Sequence, residues 1–129
     1  MSDTLPTMIK HAEGVLNKSY SPYSNFKVSC CIEDEDGILY LGVNVENASY
    51  GLSTCAETSA ISQLITSGNK LIKQAVIMNG DGTLCPPCGA CRQRLIEFSK
   101  PDTLIHLCDH NKVLKTLTMD ELLPYAFKL

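Results

Sequence analysis

No apolar run in this sequence approaches the roughly 20 residues a membrane-spanning helix needs. The stretch from Met1 to Lys10 also lacks the basic region and apolar block of a secretory leader. A cytoplasmic location with no membrane partner is the resulting expectation. Low-complexity tracts, internal repeats and linker-like segments are missing too, which leaves one domain over residues 1–129. Positive charge is scarce: 11 Lys and Arg stand against 14 Asp and Glu, and they form no stripe. The electrostatic footprint of a polynucleotide binder is therefore lacking. No nucleic acid is expected as partner, and a base-containing substrate would be a free small molecule. Histidine is also sparse. His11 falls on the polar side of a first helix, while His106 and His110 flank a strand end, so all three read as structural or surface residues. Gly80-Asp81-Gly82 is a turn without the length or the Lys of a phosphate-binding loop.

What is present is a core and a clear order of elements. Hydrophobic residues make up 44% of the chain. Leu5, Met8, Ile9, Ala12, Val15 and Leu16 recur at helical spacing. Phe26, Val28, Cys30 and Ile32 alternate as in a half-buried strand. Asp36-Gly37 then reads as a hairpin turn, with Ile38 to Val45 returning. Cys55 to Ser67 predicts a helix closed by Gly68. Ala75 to Met78 predicts a buried strand, and Asp81 to Pro87 a loop. Gly89 to Phe98 follows as a helix, then Thr103 to Leu107 and Lys112 to Leu117 as strands. Thr118 with Glu121 fits a capping box opening a last helix, which Pro124 limits. This α-β-β-α-β-α-β-β-α order predicts an α/β fold with one mixed sheet and helices packed on its faces.

Seven cysteines are many for 129 residues, and their odd number rules out a fully paired intrachain disulfide framework. Cys30, Cys31 and Cys108 lie in strand-like runs and read as small buried hydrophobes. Cys55, Cys88 and Cys91 are different, because each falls at the predicted start of a helix. There the free N–H groups and partial positive charge favour a thiolate. Cys88 and Cys91 are one helical turn apart. Three thiolates can hold zinc and leave its fourth position open, whereas magnesium and calcium prefer oxygen. Glu57, two residues from Cys55, can then move protons without occupying the metal. Two other readings stay open here. Cys85 could join the three thiols in a closed, structural four-cysteine site, and Cys88 with Cys91 could form a redox pair.

Cys55-Ala56-Glu57 followed by Pro87-Cys88-Gly89-Ala90-Cys91 resembles the zinc deaminase signature. Further blocks extend the likeness over nearly the whole chain. They are Ser21-Pro22-Tyr23-Ser24-Asn25-Phe26, Gly42-Val43-Asn44-Val45-Glu46-Asn47-Ala48, Cys91-Arg92-Gln93 and Glu121-Leu122-Leu123-Pro124-Tyr125-Ala126-Phe127. Together they resemble the small zinc-dependent cytidine deaminases that act on free nucleosides. The resemblance implies a three-layer α-β-α fold with a five-stranded mixed sheet. It implies one Zn²⁺ per subunit and hydrolysis of cytidine or deoxycytidine to the uracil nucleoside and ammonia, in pyrimidine salvage. Zinc-bound hydroxide would add to C4 while Glu57 shuttles protons. Asn44 and Glu46 would hold the sugar 3′-hydroxyl, Phe26 would pack on the base, and Ala56 would offer backbone hydrogen bonds to the pyrimidine. Phe127 would reach the active site of a neighbouring subunit in a homotetramer with shared sites, with Tyr23 and Tyr50 at the interfaces.

The chain departs from that family at one informative place. Where three-cysteine members carry Arg after Cys-Ala-Glu, this chain has Thr58. Three thiolates against one divalent cation leave the site anionic, which is costly in a partly buried position. Thr58 can donate one hydrogen bond but no cation, so Arg92 is expected to share the compensation. Ser29, Cys30 and Cys85 also depart from the pattern. They keep open an alternative substrate, a modified cytosine nucleoside or a cytosine-containing antibiotic.

Overall fold

The protein is described from a computed structural model over residues 4–129. Met1 to Asp3 of the stretch Met1 to Lys10 considered above lie outside the described residues. Five strands form one sheet in the order β2-β1-β3-β4-β5: β1 (Val28–Asp34), β2 (Leu39–Val43), β3 (Ile72–Asn79), β4 (Leu104–Asp109) and β5 (Lys112–Thr118). All neighbours are antiparallel except β3 and β4, which run parallel. Helix α1 (Leu5–Leu16) covers one face, while α2 (Ala56–Thr66), α3 (Gly89–Glu97) and α4 (Met119–Leu122) belong to the other. This is the expected three-layer α-β-α arrangement with a mixed sheet. Among the described residues no helix is long and apolar enough to cross a membrane.

The period-2 alternation of the strands divides the core in two. Cys30, Ile32, Ala75, Ile77, Ile105 and Leu107 join Ala56, Ala60, Leu64 and Leu95 on the side of α2 and α3. Cys31, Val76, Met78 and Cys108 point the other way, onto Met8, Ala12 and Leu16 of α1. Cys30, Cys31 and Cys108 are buried among these hydrophobes, as their strand positions predict.

Two details of backbone packing position the site. α2 lies close enough to β2 that a Cβ on Gly42 would stand 2.4 Å from the Ala60 nitrogen and 2.5 Å from the Ala56 carbonyl oxygen. Only glycine leaves room for the helix there. The return strand, expected to reach Val45, ends its pairing with β1 at Val43. Beyond it Val45 changes partners, bridging to Tyr20 and to Thr54. Asn44 to Glu46 are thereby clamped between two loops, with Thr54 directly before Cys55. Tyr50–Leu52 form a short 3₁₀ turn that sequence periodicity did not indicate, too brief to leave a repeat. Thr118 and Glu121 make both bonds of the expected capping box.

Candidate active site

Cys55 is the N-cap of α2 and Cys88 the N-cap of α3, both in extended backbone conformation. The two helices meet near these ends and bring their cysteines to one cavity. The Cys55 and Cys91 sulfurs and a Glu57 carboxylate oxygen all lie within 4.8 Å of one another. Cys88 lines the same cavity, but it is exposed and stands outside that tight group. Cys85 also lines the cavity. Its thiol makes a local contact with the Pro86 carbonyl, at 3.9 Å.

The electrostatics of the cluster follow from crowding acids together. A hydrogen bond from Cys91 pulls the Cys55 thiol down to about 5, against the opposing effect of burial, with help from Thr58 and Arg94. Cys91, which gives that hydrogen bond, is held far above the ordinary thiol value. Burial pushes Glu57 up to about 7, and the charge on Cys55 adds to the effect. The residue is 3% exposed. The charge on Cys55 thus suppresses ionisation of Cys91 and Glu57, and a divalent cation among them would relieve that suppression. Sulfur-rich donors at two helix N-termini fit zinc in particular.

The cavity above the cluster has a volume of about 550 Å³. Phe26, Asn44, Glu46, Ala56 and Glu57 line it, together with the exposed Tyr50. Asn44 and Glu46 face the cavity as their i, i+2 spacing predicts, but both side chains are heavily engaged. Asn44 Oδ1 accepts from Ser19 Oγ at 2.5 Å and from the Val28 N–H at 2.9 Å, and Nδ2 donates to the Phe26 carbonyl at 2.8 Å. Glu46 accepts from the Tyr23 and Ser24 N–H groups at 3.0 and 3.2 Å, and from the Ser24 hydroxyl. The pair fixes the loop that carries Phe26, and one amide hydrogen and part of a carboxylate remain to meet a ligand.

The arginines near the cluster are placed differently from the expectation for Arg92. Arg92 is not directed at the sulfurs: Nε donates to the Pro87 carbonyl at 2.9 Å and Nη1 to that of Leu122 at 2.8 Å. It braces the loop leading to Cys88 instead. Thr58 does meet the cluster, with Oγ1 3.0 Å from Cys55 Sγ. The cation beside that sulfur is Arg94, with Nη1 at 3.8 Å, a residue the sequence reading passed over. A signal for it existed: Cys88, Cys91 and Arg94 continue one i, i+3 stripe along α3, whereas Arg92 sits about 100° round the helix from Cys91. Phe127 does not enter this chain's cavity. Its ring is exposed, and its carbonyl accepts from Gln93 Nε2 at 3.1 Å.

The histidines keep the structural or surface roles expected of them. His106 is buried within β4, between Thr116 Oγ1 and Gln74 Oε1, each at 2.9 Å. His110 lies 3.8 Å from the Glu13 carboxylate at the surface.

Comparison with known proteins decides the family. The model for the cytidine and deoxycytidylate deaminase zinc-binding region matches residues 2–107. The chain belongs to this family. It is 39% identical to the cytidine deaminase of Mycoplasma genitalium, over 99% of this chain and 98% of that one. Identity to the cytidine deaminase of Halalkalibacterium halodurans is 37%, over 93% and 91% of the two chains. Among solved structures, the cytidine deaminase of Burkholderia pseudomallei superposes with a TM-score of 0.88 at 36% identity, covering 98% of this chain and 100% of that one. The cytidine deaminase of Mycobacterium tuberculosis gives 0.86 at 34% identity, over 99% and 100%. The zinc-binding family and the sulfur-rich donor set agree with each other.

Proposed function

We propose that the chain is a zinc-dependent hydrolase that converts cytidine, deoxycytidine or both to the uracil nucleoside and ammonia. The observation that carries this reading is the buried Glu57 carboxylate beside two thiols, below a cavity with room for a nucleoside. Cys55, Cys88 and Cys91 would hold one Zn²⁺ per subunit. Zinc, when bound, supplies the Lewis acid that makes water nucleophilic near neutral pH. Glu57 orients that water and takes a proton from it as oxygen attacks C4 of the ring. It delivers that proton to N3, then takes the second proton from the oxygen now bonded to C4 and gives it to the amine as the C4–N bond breaks, so water and cytidine are converted to the uracil nucleoside and ammonia. Its burial keeps bulk water out of this transfer and suits a group that must both accept and give protons. Phe26 packs on the base, and the Ala56 backbone offers hydrogen bonds to the ring. Asn44 and Glu46 meet the sugar hydroxyl with the capacity their loop contacts leave free.

The same reading takes residues 1–129 as one domain in cytoplasmic pyrimidine salvage, and the working enzyme as a homotetramer. Loss of cytidine followed by ultraviolet absorbance, for zinc-loaded wild type beside zinc-loaded Glu57→Gln, tests it. The expected result is turnover by the wild type and a loss of at least ~100-fold in the variant, as for removal of a general acid–base group. Equal rates would remove Glu57 from the chemistry. Inactivity of both would remove cytidine as substrate, and modified cytosine nucleosides would be tried next.

A further inference from the structure

The proposed zinc ligands Cys55, Cys88 and Cys91, with Glu57 beside Cys55 and Cys91, carry more negative charge when ionised than one divalent ion neutralises. Such an excess is expensive away from bulk water unless a cation stands nearby. Among the described residues lining the cavity, Arg94 is the only Lys, Arg or His. Its Nη1 stands 3.8 Å from Cys55 Sγ, and Thr58 Oγ1 approaches the same sulfur at 3.0 Å. Thr58 belongs to α2, which carries Cys55, while Arg94 comes across from α3, which follows Cys88 and carries Cys91. Among the described residues no carboxylate lies within ion-pair distance of Arg94, so its charge is not spent elsewhere. A second, smaller cavity of about 310 Å³ lies between the two helices and is lined by both Thr58 and Arg94. The guanidinium therefore stands at the seam where the ligand-bearing helices meet.

We propose that Arg94 is a positioning residue of the zinc centre: its guanidinium supplies the Cys55 sulfur with a positive charge and an N–H from across the helix seam, while Thr58 gives the same sulfur its second hydrogen bond. The inference rests on the zinc deaminase reading above and deepens it. Charge is delivered here from the helix opposite Cys55, and the cation and the hydrogen-bonding hydroxyl are divided between two residues. Because the arginine joins the two helices through the ligand sulfur, it also resists their separation when the metal is held.

The test begins from zinc-loaded protein and measures zinc dissociation by competition with a chromophoric chelator, in the wild type and in Arg94→Lys, Arg94→Ala and Arg94→Glu. Partners of metal ligands typically contribute ~10–100-fold to affinity. Arg94→Ala should weaken zinc binding about tenfold, Arg94→Lys less, and Arg94→Glu more than Arg94→Ala. The gap between wild type and Arg94→Ala should narrow in high salt, since the guanidinium is solvent-accessible. A residue with only a packing role would give neither the charge order nor the salt effect. Equal zinc affinity in wild type and Arg94→Ala would overturn the inference, as would equal losses in all three variants. If the wild type binds zinc and deaminates cytidine while the Arg94 series stays flat, this inference alone falls. If the wild type does neither, the deaminase reading falls with it.

Discussion

Asp34 carries a concentration of hydrogen bonds that few surface carboxylates reach. It is fully buried and sits where β1 turns into β2. Oδ1 accepts from the Asp36 and Ile38 N–H groups, each at 2.9 Å, and Oδ2 from Tyr40 Oη at 2.8 Å and Asn69 Nδ2 at 2.6 Å. Burial works against the charge, but these donors outweigh it and hold the carboxyl below its ordinary value. Asp34→Ala would strand several donors at once, and a loss of about 2–3 kcal/mol is expected at neutral pH. A folded-state value below the unfolded one gives stability that is present above the ordinary carboxyl range, near ~3.9, and is lost as pH falls through the folded value. The difference in urea midpoint between wild type and Asp34→Ala should therefore shrink below about pH 4. A constant difference down to the acid limit would mean that the carboxylate charge contributes nothing. Individual residues were legible in the sequence to unequal degrees. The gathering of Cys55, Glu57 and Cys91 was legible because their spacing matches the zinc deaminase signature. Asn44 was legible as a cavity residue but not as the clamp on Ser19, Phe26 and Val28, because those contacts depend on loops that carry no periodic signal.

At the scale of elements, the site depends on where α2 sits over the sheet. Helix and strand approach so closely at Gly42 that any side chain there would strike the helix backbone, which cannot swing aside as a side-chain tip does. Ser59 Oγ adds a hydrogen bond to the Val43 carbonyl at 3.0 Å, fixing the helix along the same strand. Gly42→Ala should therefore lift α2 and carry Cys55 and Glu57 away from Cys91. The expected cost is about 3 kcal/mol, seen as a fall in melting temperature on the order of 10 °C, together with weakened zinc retention. A variant with wild-type melting temperature and zinc affinity would show that the contact is slack. The sequence marked each helix and strand to within a few residues, because the period-3.6 and period-2 patterns are written in apolar side chains. It also marked the last helix through its capping box. It did not mark the change of partner at Val45, since an isolated bridge leaves too few residues to form a pattern. It misled at Arg92, where adjacency to Cys91 mattered less than helical phase.

At the scale of the whole molecule, the cavity is open on a side where Tyr50 is 73% exposed, and Phe127 near the chain end is 69% exposed. The Gln93 contact with the Phe127 carbonyl ties this terminal segment to α3 while leaving the ring outside. Large exposed aromatics at a cavity rim and on a fixed tail are the kind of surface an interface removes from water. The proposed tetramer with shared sites makes a prediction that neither residue tests alone. Phe127→Ala should lower kcat/KM by about tenfold, the loss expected when a buried aromatic contact of ~1–2 kcal/mol is removed. Glu57→Gln should be nearly inactive. If Phe127 acts on a neighbour, subunit exchange between the two variants creates sites that combine an intact Glu57 with an intact Phe127 from the adjoining chain. Activity after exchange should then exceed the mean of the two separate proteins, and it should rise with the time allowed for mixing. A mixture that stays at that mean, while light scattering shows that subunits have exchanged, would confine Phe127 to its own chain and remove the shared site. A monomer by light scattering would remove the tetramer as well, leaving the cavity rim open to solvent in the working enzyme.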